Sequence, residues 1–163
     1  MLQAKDSLDL RLLNPMTLAF VGDGVYEMLA REEIVRRHIS LSADRLHRRT
    51  VELVRASAQA AGFLAIEPLL TETELAVFKR GRNANGITHP KNSSAAEYRA
   101  ATGLEALFGW LYLSGENERL RALFQKILDD RQTGLSPGNQ MLDGAKDEDS
   151  GQSDNRAATV SQN

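Results

Sequence analysis

The stretch LAFVGDGVYE, residues 18–27, places one carboxylate, Asp23, between two glycines in an otherwise apolar run. Each glycine inside a helix costs about 1 kcal/mol relative to alanine, and an unpaired acid on an apolar segment adds a cost of desolvation. A helix that served only to build a core would have little reason to keep all three residues. The stretch therefore indicates a functional carboxylate, with Gly22 and Gly24 allowing a ligand or another backbone to approach. Tight crossing of two helices explains the glycines equally well.

The sequence around this stretch predicts an all-α domain. Asn14 followed by Pro15 is typical of a helix N-terminus, and the spacing of apolar residues predicts a helix from there to about Arg37. Further helices are predicted to open near three residues that favour helix starts, Ser42, Thr71 and Ser94, and a last helix follows the turn SGENE. No segment has the pattern of a strand.

Composition limits the class of protein. With 163 residues, of which 42% are hydrophobic, the chain is long enough for one domain with a core. It contains no cysteine, which excludes disulfides and thiolate metal sites. No apolar run predicts a transmembrane helix, and Asp6 and Asp9 interrupt the region where a signal peptide needs an apolar stretch. We therefore expect a cytoplasmic protein with no membrane partner.

The net charge of −2 is an average over unlike parts of the chain. Residues 132–163 hold five acids and two bases among Gly, Ser, Asn and Gln, a composition typical of a disordered tail. We therefore divide the chain into a folded domain at 1–131 and a polar, acidic tail at 132–163. Within the domain, bases exceed acids by three over residues 45–55 and by four over residues 79–99. Because local patches decide whether a polyanion is attracted, the small negative charge does not exclude a nucleic-acid partner.

A second apolar helix also carries an acid without a local countercharge. In ATGLEALFGWLYL, residues 101–113, no base lies three or four positions from Glu105, and the same is true of Asp23. Solvation, or pairing with a base from another helix, explains such acids as well as a functional role does. The sharper interpretation is that the two acids converge on a divalent cation, since a buried carboxylate needs a partner or a metal. Oxygen ligands suit Mg²⁺.

Two basic segments are candidates for contact with phosphate groups. The segment KRGRNANGITHPK, residues 79–91, is predicted to be an irregular loop, and it supplies side chains that suit a nucleic-acid backbone: Lys79, Arg80, Arg82, Asn83 and Lys91. The helix RLHRRTVELVR, residues 45–55, presents a second set: Arg48, Arg49 and Arg55. A solvated loop and a solvated helix face explain these charges equally well. The segment lacks the Lys-Ser or Lys-Thr of a P-loop, and no organic cofactor is expected.

AFVGDGVYE resembles the signature of the ribonuclease III family, and TGLEALFGWLYL resembles that family's second acidic motif. Their order and separation match, and the basic segment between them is similar to that of the Mini-III subgroup. The resemblance covers residues 12–130. It implies an all-α, ribonuclease III-like endonuclease domain that forms a helical homodimer. It also implies hydrolysis of double-stranded RNA with Mg²⁺, for which Mn²⁺ can substitute, leaving 5′-phosphate and 3′-hydroxyl ends.

The resemblance further implies a substrate and a division of roles. Mini-III enzymes lack a separate double-stranded-RNA-binding domain, and they trim precursors of large-subunit (23S) ribosomal RNA, which is the substrate we expect. Carried over by position, Asp23 and Glu105 are the catalytic, metal-binding acids. The family has two further carboxylates where this chain has Ala19 and Thr102, so water is expected to fill the vacated metal positions. Glu27, by orienting water, and Thr102 are the supporting candidates.

Two other classes of protein remain open. The first is a catalytically weak or inactive nuclease-fold protein that binds RNA or a ribosomal particle, because two of the family's four acids are absent. Such a protein would be free to lose Asp23 and Glu105, yet both are present. The second is a helical scaffold that binds protein partners through ALFGWLYL, which would have no need of the basic segment. The sequence favours the nuclease.

Overall fold

The structure, a computed structural model, describes residues 9–86 and 94–134. These residues form helices and no strand, which confirms the all-α class. The helices are α1 Pro15–Arg37, α2 Ala43–Val54, α3 Ala56–Ile66, α4 Glu72–Arg82, α5 Ala95–Leu113 and α6 Asn117–Gln132, with a 3₁₀ turn at Glu67–Leu69. Within the described ranges, no helix is long and apolar enough to cross a membrane. Of the predicted tail at 132–163, residues 135–163 lie outside the described residues, and Gln132 is the last residue of α6.

The ends of the helices follow the local chemistry of the sequence. The Asn14 side chain accepts a hydrogen bond from the backbone N–H of Met16 at 2.8 Å, and a proline in the first turn costs no helical hydrogen bond. Thr71 and Glu74 form a reciprocal capping box at the start of α4. Gly115, with φ of +79°, turns the chain between α5 and α6. The predicted starts of α1 and α4 are therefore confirmed.

Helix α5 is the centre of the fold. Its buried side chains form one apolar cluster with residues of α1, α3, α4 and α6. Tyr26 of α1 packs edge to face against Phe108 of α5 and Phe124 of α6, with ring centroids 5.2 and 5.3 Å away. Burying a large apolar side chain contributes about 1.5–3 kcal/mol. This cluster therefore holds α5 firmly between its neighbours.

An ion pair between a buried acid and a partly exposed arginine links the first turns of α4 and α6. Glu74 is 4% exposed and accepts hydrogen bonds from the guanidinium of Arg119 at 2.8 and 2.9 Å. The same guanidinium donates to the backbone carbonyl of Leu69 at 2.7 Å. The bonds from Arg119 hold the pKa of Glu74 below its usual range. The carboxylate is thus charged and satisfied near neutral pH, as a buried acid must be.

The segment predicted as a loop from residue 79 begins as a helix. Helix α4 continues to Arg82, so Lys79, Arg80 and Arg82 lie in its final turn. The sequence allowed a helix as far as Lys79, and the loop prediction was wrong for Arg80 and Arg82. The reason is a tertiary contact: Gly81 packs so closely on α5 that a Cβ there would lie 2.5 Å from the Cβ of Ala106. Packing against α5 therefore overrides the low helix propensity of glycine.

Helices α1 and α5 cross with their backbones in contact. A Cβ on Gly22 would lie 1.7 Å from the carbonyl oxygen of Glu105, and one on Gly109 would lie 2.0 Å from that of Leu18. Only glycine fits these distances. A Cβ built on Gly24, in contrast, has no atom of the described chain within 4 Å. Of the two interpretations of the glycines, tight helix crossing is the correct one for Gly22.

We expect Gly22→Ala to lower the free energy of unfolding by more than about 3 kcal/mol, because the two helices must separate and the core around them must repack. Gly24→Ala is the matched control. It should change that free energy by no more than about 1 kcal/mol, the helix-propensity difference between the two residues. Urea unfolding followed by circular dichroism measures both. Equal effects at the two positions would contradict the close crossing.

Candidate active site

The crossing of α1 and α5 brings Asp23 and Glu105 together. Asp23 follows Gly22, whose backbone contacts the backbone of Glu105, so the two acids lie on adjoining surfaces of the two helices. They are close enough that the negative charge of Asp23 helps to raise the pKa of Glu105. The two acids that the sequence singled out, 82 positions apart in the chain, therefore form one acidic site.

Both carboxyl groups are held in surroundings that disfavour their charged forms. Burial, and to a lesser extent the charge of Asp23, raises the pKa of Glu105 to about 7. Burial also raises the pKa of Asp23, with a further contribution from the charge of Glu27. Two acids with raised pKa values at one place are typical of a functional site.

The residues of this site fit a divalent cation. A buried carboxylate beside another acid lacks a countercharge, and a cation would supply it. The donors are hard carboxylate oxygens, which suit Mg²⁺. Among the residues that the structure describes, no three ligand-type side chains cluster. A cation held by Asp23 and Glu105 would therefore keep most of its water, which is the usual state of Mg²⁺ in proteins.

The structure also places the two supporting candidates. Glu27 lies one turn after Asp23 and forms an ion pair with Arg31. Thr102 is buried, and its hydroxyl donates a hydrogen bond to the backbone carbonyl of Tyr98 at 3.0 Å. Ala19, at the other position where the resemblance implies an acid, is 3% exposed and forms part of the core. Of these residues, Glu27 carries the charge that acts on the acidic site, because its carboxylate helps to raise the pKa of Asp23.

Sequence reasoning missed Gln59, whose side chain contacts the acidic site. Its amide nitrogen donates to Oε1 of Glu105 at 3.0 Å and to the backbone carbonyl of Val54 at 2.9 Å. Gln59 is 2% exposed, although its helix, ASAQAAGFLAI, is otherwise nearly apolar. The available signal was this single long polar side chain in an alanine-rich helix.

The basic residues at the end of α4 differ in the contacts that they form within the protein. Arg80 donates to the backbone carbonyl of Leu13 at 3.0 Å and so holds the segment before α1. Arg82 lies over the ring of Phe78, 5.8 Å from its centroid, and donates to Asn83. Lys79 is exposed, and its side chain forms no hydrogen bond or ion pair within the described part of the chain. The last candidate of this segment, Lys91, lies outside the described residues.

In the second basic segment, Arg55 follows directly after Val54, whose carbonyl contacts Gln59 beside the acidic site. Arg55 is the extended residue between α2 and α3. The carbonyl of the preceding residue, Val54, and the carboxylate of Glu105 both accept hydrogen bonds from the Gln59 amide. Arg55 pairs with Glu52 at 3.2 Å, and Arg48 pairs with Asp44 one turn earlier on its own helix. Both arginines are exposed. Their ion pairs are weak ones that a phosphate group can replace.

Comparison with known proteins assigns this arrangement to a family. The Ribonuclease III domain family matches residues 16–116 of the chain. A protein named Mini-ribonuclease 3 from Clostridium tetani is 41% identical over 120 residues, which is 74% of this chain and 80% of that protein. Another of the same name from Symbiobacterium thermophilum is 47% identical over 117 residues, covering 72% and 89% of the two chains.

A solved structure agrees with these sequence comparisons. The crystal structure of a protein from Fusobacterium nucleatum matches with a TM-score of 0.67 and 26% sequence identity. The match covers 74% of this chain and 96% of that one. The similarity thus extends over the helical domain that carries the acidic site.

Proposed function

The chain belongs to the ribonuclease III family and is an endoribonuclease for double-stranded RNA, and from that premise we propose that its cleavage depends on Mg²⁺ held by Asp23 and Glu105. The observation that carries the proposal is the convergence of these two acids at the crossing of α1 and α5. Mn²⁺, which takes the same oxygen ligands, would substitute for Mg²⁺.

The residues of the site divide the work of hydrolysis. Asp23 and Glu105 would hold the cation, and Glu27, which is ion-paired with Arg31 one helical turn after Asp23, would orient water. When bound, Mg²⁺ stabilises the charge that develops on the phosphate and makes water a better nucleophile. Cleavage leaves a 5′-phosphate and a 3′-hydroxyl end. Buried carboxylates with raised pKa values bind a cation with release of protons, so binding should strengthen as the pH rises through about 7.

A protein that only binds RNA is the competing candidate, because two of the family's four acids are absent here. The burial of Glu105 beside Asp23 argues against it. Such a pair costs stability unless a cation joins it. A binding protein would gain stability by replacing either acid. We therefore favour the enzyme with a reduced set of ligands.

We also propose that the enzyme is a homodimer, since two-strand cleavage needs two sites related by a two-fold axis. The described surface offers an apolar stripe on α1, formed by Met16, Phe20 and Met28, of which Phe20 is 81% exposed. Side chains four and eight positions apart share one side of a helix. A stripe of this kind beside the acidic site is typical of a protein interface.

Precursor of large-subunit (23S) ribosomal RNA is the substrate that we propose, which places the enzyme in the cytoplasm. The support is the resemblance to Mini-III enzymes, together with relatives that carry the name Mini-ribonuclease 3. The bases at the end of α4 and at the end of α2 would bind the phosphates that flank the cleavage site, since the acids alone repel RNA.

The variants Asp23→Asn and Glu105→Gln test the cation site. Each should lower the rate of cleavage of a long RNA duplex by at least about 100-fold, because the amide keeps the shape but loses the charge that holds Mg²⁺. Glu33→Gln, which removes an acid of α1 paired with Arg37, is the control and should cut at the parent rate. Near-parent cleavage by either site variant would remove that residue from the mechanism.

The variant Phe20→Asp tests the dimer. It should convert a particle of twice the chain mass into a monomer at micromolar concentration, since a charge in the apolar stripe must be desolvated to associate. Leu64→Asp, at a 67% exposed position on α3, is the matched control and should leave the mass unchanged. Static light scattering measures all three proteins. A monomeric parent would reject the homodimer.

The salt dependence of RNA affinity tests the basic surface. The double variants Lys79→Ala with Arg82→Ala, and Arg49→Ala with Arg55→Ala, should each flatten the slope of log affinity against log salt by about two, one unit for each phosphate that is no longer bound by a base. The control is Arg36→Ala with Arg37→Ala, which removes the same charge from the last turn of α1, away from Asp23. It should leave the slope unchanged. If all three variants behaved alike, only total charge would matter and neither segment would bind RNA specifically.

A further inference from the structure

Gln59 is a buried polar residue of α3 that contacts the acidic site. We propose that Gln59 is a positioning residue that holds the carboxylate of Glu105 in the orientation that binds the cation. The inference rests on the proposed function, because it assigns Gln59 a part in the cation site of Asp23 and Glu105. Its basis is the hydrogen bond of 3.0 Å between the amide nitrogen and Oε1 of Glu105.

The burial of Gln59 requires a specific reason. The other buried residues of α3 are Gly62, Phe63 and Ile66, all without polar side-chain atoms. At 2% exposure, a glutamine amide has given up its water, at a cost of about 1–3 kcal/mol unless hydrogen bonds replace it. An apolar residue of the same length would avoid this cost. The amide is therefore kept for the contacts that it makes.

The partners of the amide fix which of its atoms faces Glu105. Both contacts of the nitrogen are with acceptors, the carboxylate of Glu105 and the carbonyl of Val54, so the amide oxygen cannot replace the nitrogen there. The Gln59 oxygen is buried without a hydrogen-bond partner. It is the one buried side-chain polar atom in that state within the described ranges. The amide nitrogen of Gln59 therefore has its hydrogen-bond partners, whereas the amide oxygen has none. This arrangement indicates that the glutamine is present for the hydrogen bond that it donates to Glu105.

This contact acts directly on the geometry of the site. Asp23 and Glu105 carry like charges, so without a cation they repel each other and the Glu105 side chain would turn away. The amide N–H stabilises the charged form of Glu105, opposing the effect of burial on its pKa. The amide bonds to Oε1, and no hydrogen bond to Oε2 is seen among the described residues. Hydrogen bonds of this kind to a ligand side chain typically account for a 10- to 100-fold difference in metal affinity.

A purely structural role is the alternative to be separated. Helix α2 ends at Val54 because Arg55 is extended, with φ of −60° and ψ of 149°. The Gln59 amide satisfies the Val54 carbonyl that this break leaves without a helical partner. If that were the whole role, loss of Gln59 would lower stability but leave the affinity of the folded protein for a cation unchanged.

Mn²⁺ affinity of the RNA-free full chain, measured from the electron paramagnetic resonance signal of free Mn²⁺, separates the two roles. Gln59→Met keeps the length of the side chain and removes the donor, and it should weaken Mn²⁺ binding about tenfold. Phe63→Leu is the control: it disturbs the same helix at a residue stacked on Phe78 and should bind Mn²⁺ as the parent does. All proteins are compared well below their melting temperatures, checked by circular dichroism.

Gln59→Asn is the second variant, and it decides the question if Gln59→Met does not fold. It retains a polar amide but is one methylene too short to reach both Val54 and Glu105, so it should also weaken Mn²⁺ binding. Parent-like affinity in a folded Gln59 variant would overturn this inference and leave the proposed function intact. A parent that binds no Mn²⁺ would overturn both. Cleavage by the variants should recover as Mg²⁺ is raised, while their affinity for duplex RNA in EDTA stays at the parent value.

Discussion

Backbone contact between α1 and α5 at Gly22 and Gly109 is the constraint on which the rest of the structure depends. A side chain at either position would overlap a carbonyl oxygen of the opposing helix. The contact fixes the distance between α1 and α5. At that distance Tyr26 of α1 packs against Phe108 of α5 and Phe124 of α6. It also sets the distance between the surfaces that carry the two acids. The same two glycines therefore serve the core and the site.

The acidic site lowers the stability of the fold. Burial raises the pKa of Glu105 to about 7, so near neutral pH its ionised form is disfavoured in the absence of a countercharge. The protein offsets part of that cost with the amide of Gln59, whose own oxygen is left without a partner. Glu74 shows the contrast: it is also buried, but Arg119 satisfies it and its pKa is lowered. Glu74 has a cationic partner within the fold, whereas Glu105 has none among the described residues, which fits the cation site that we propose.

The distribution of charge explains how a chain with a net charge of −2 can act on RNA. Many of its arginines pair with acids one turn away on the same helix, as Arg36 does with Glu32. Others, such as Arg80, support the backbone of a neighbouring segment. Arg55, which is exposed and pairs only weakly with Glu52, belongs to the basic surface that we propose for RNA. Local arrangement, and not the total, determines the electrostatic attraction.

The sequence by itself determined the helices and drew attention to the two acids. Capping residues such as Asn14 and Thr71 and the apolar spacing act within one or two turns, so helix starts could be predicted from neighbouring residues alone. Asp23 and Glu105 were recognisable because each lacks a base within its own helix, which is again a local property. Their meeting, the close crossing at Gly22 and the continuation of α4 through Gly81 were decided only by the tertiary structure. So was the contact of Gln59 with Glu105, 46 positions later in the chain. These features depend on which helix faces which, and that is set by packing between residues far apart in sequence, about which the few residues on either side of each position carry no information.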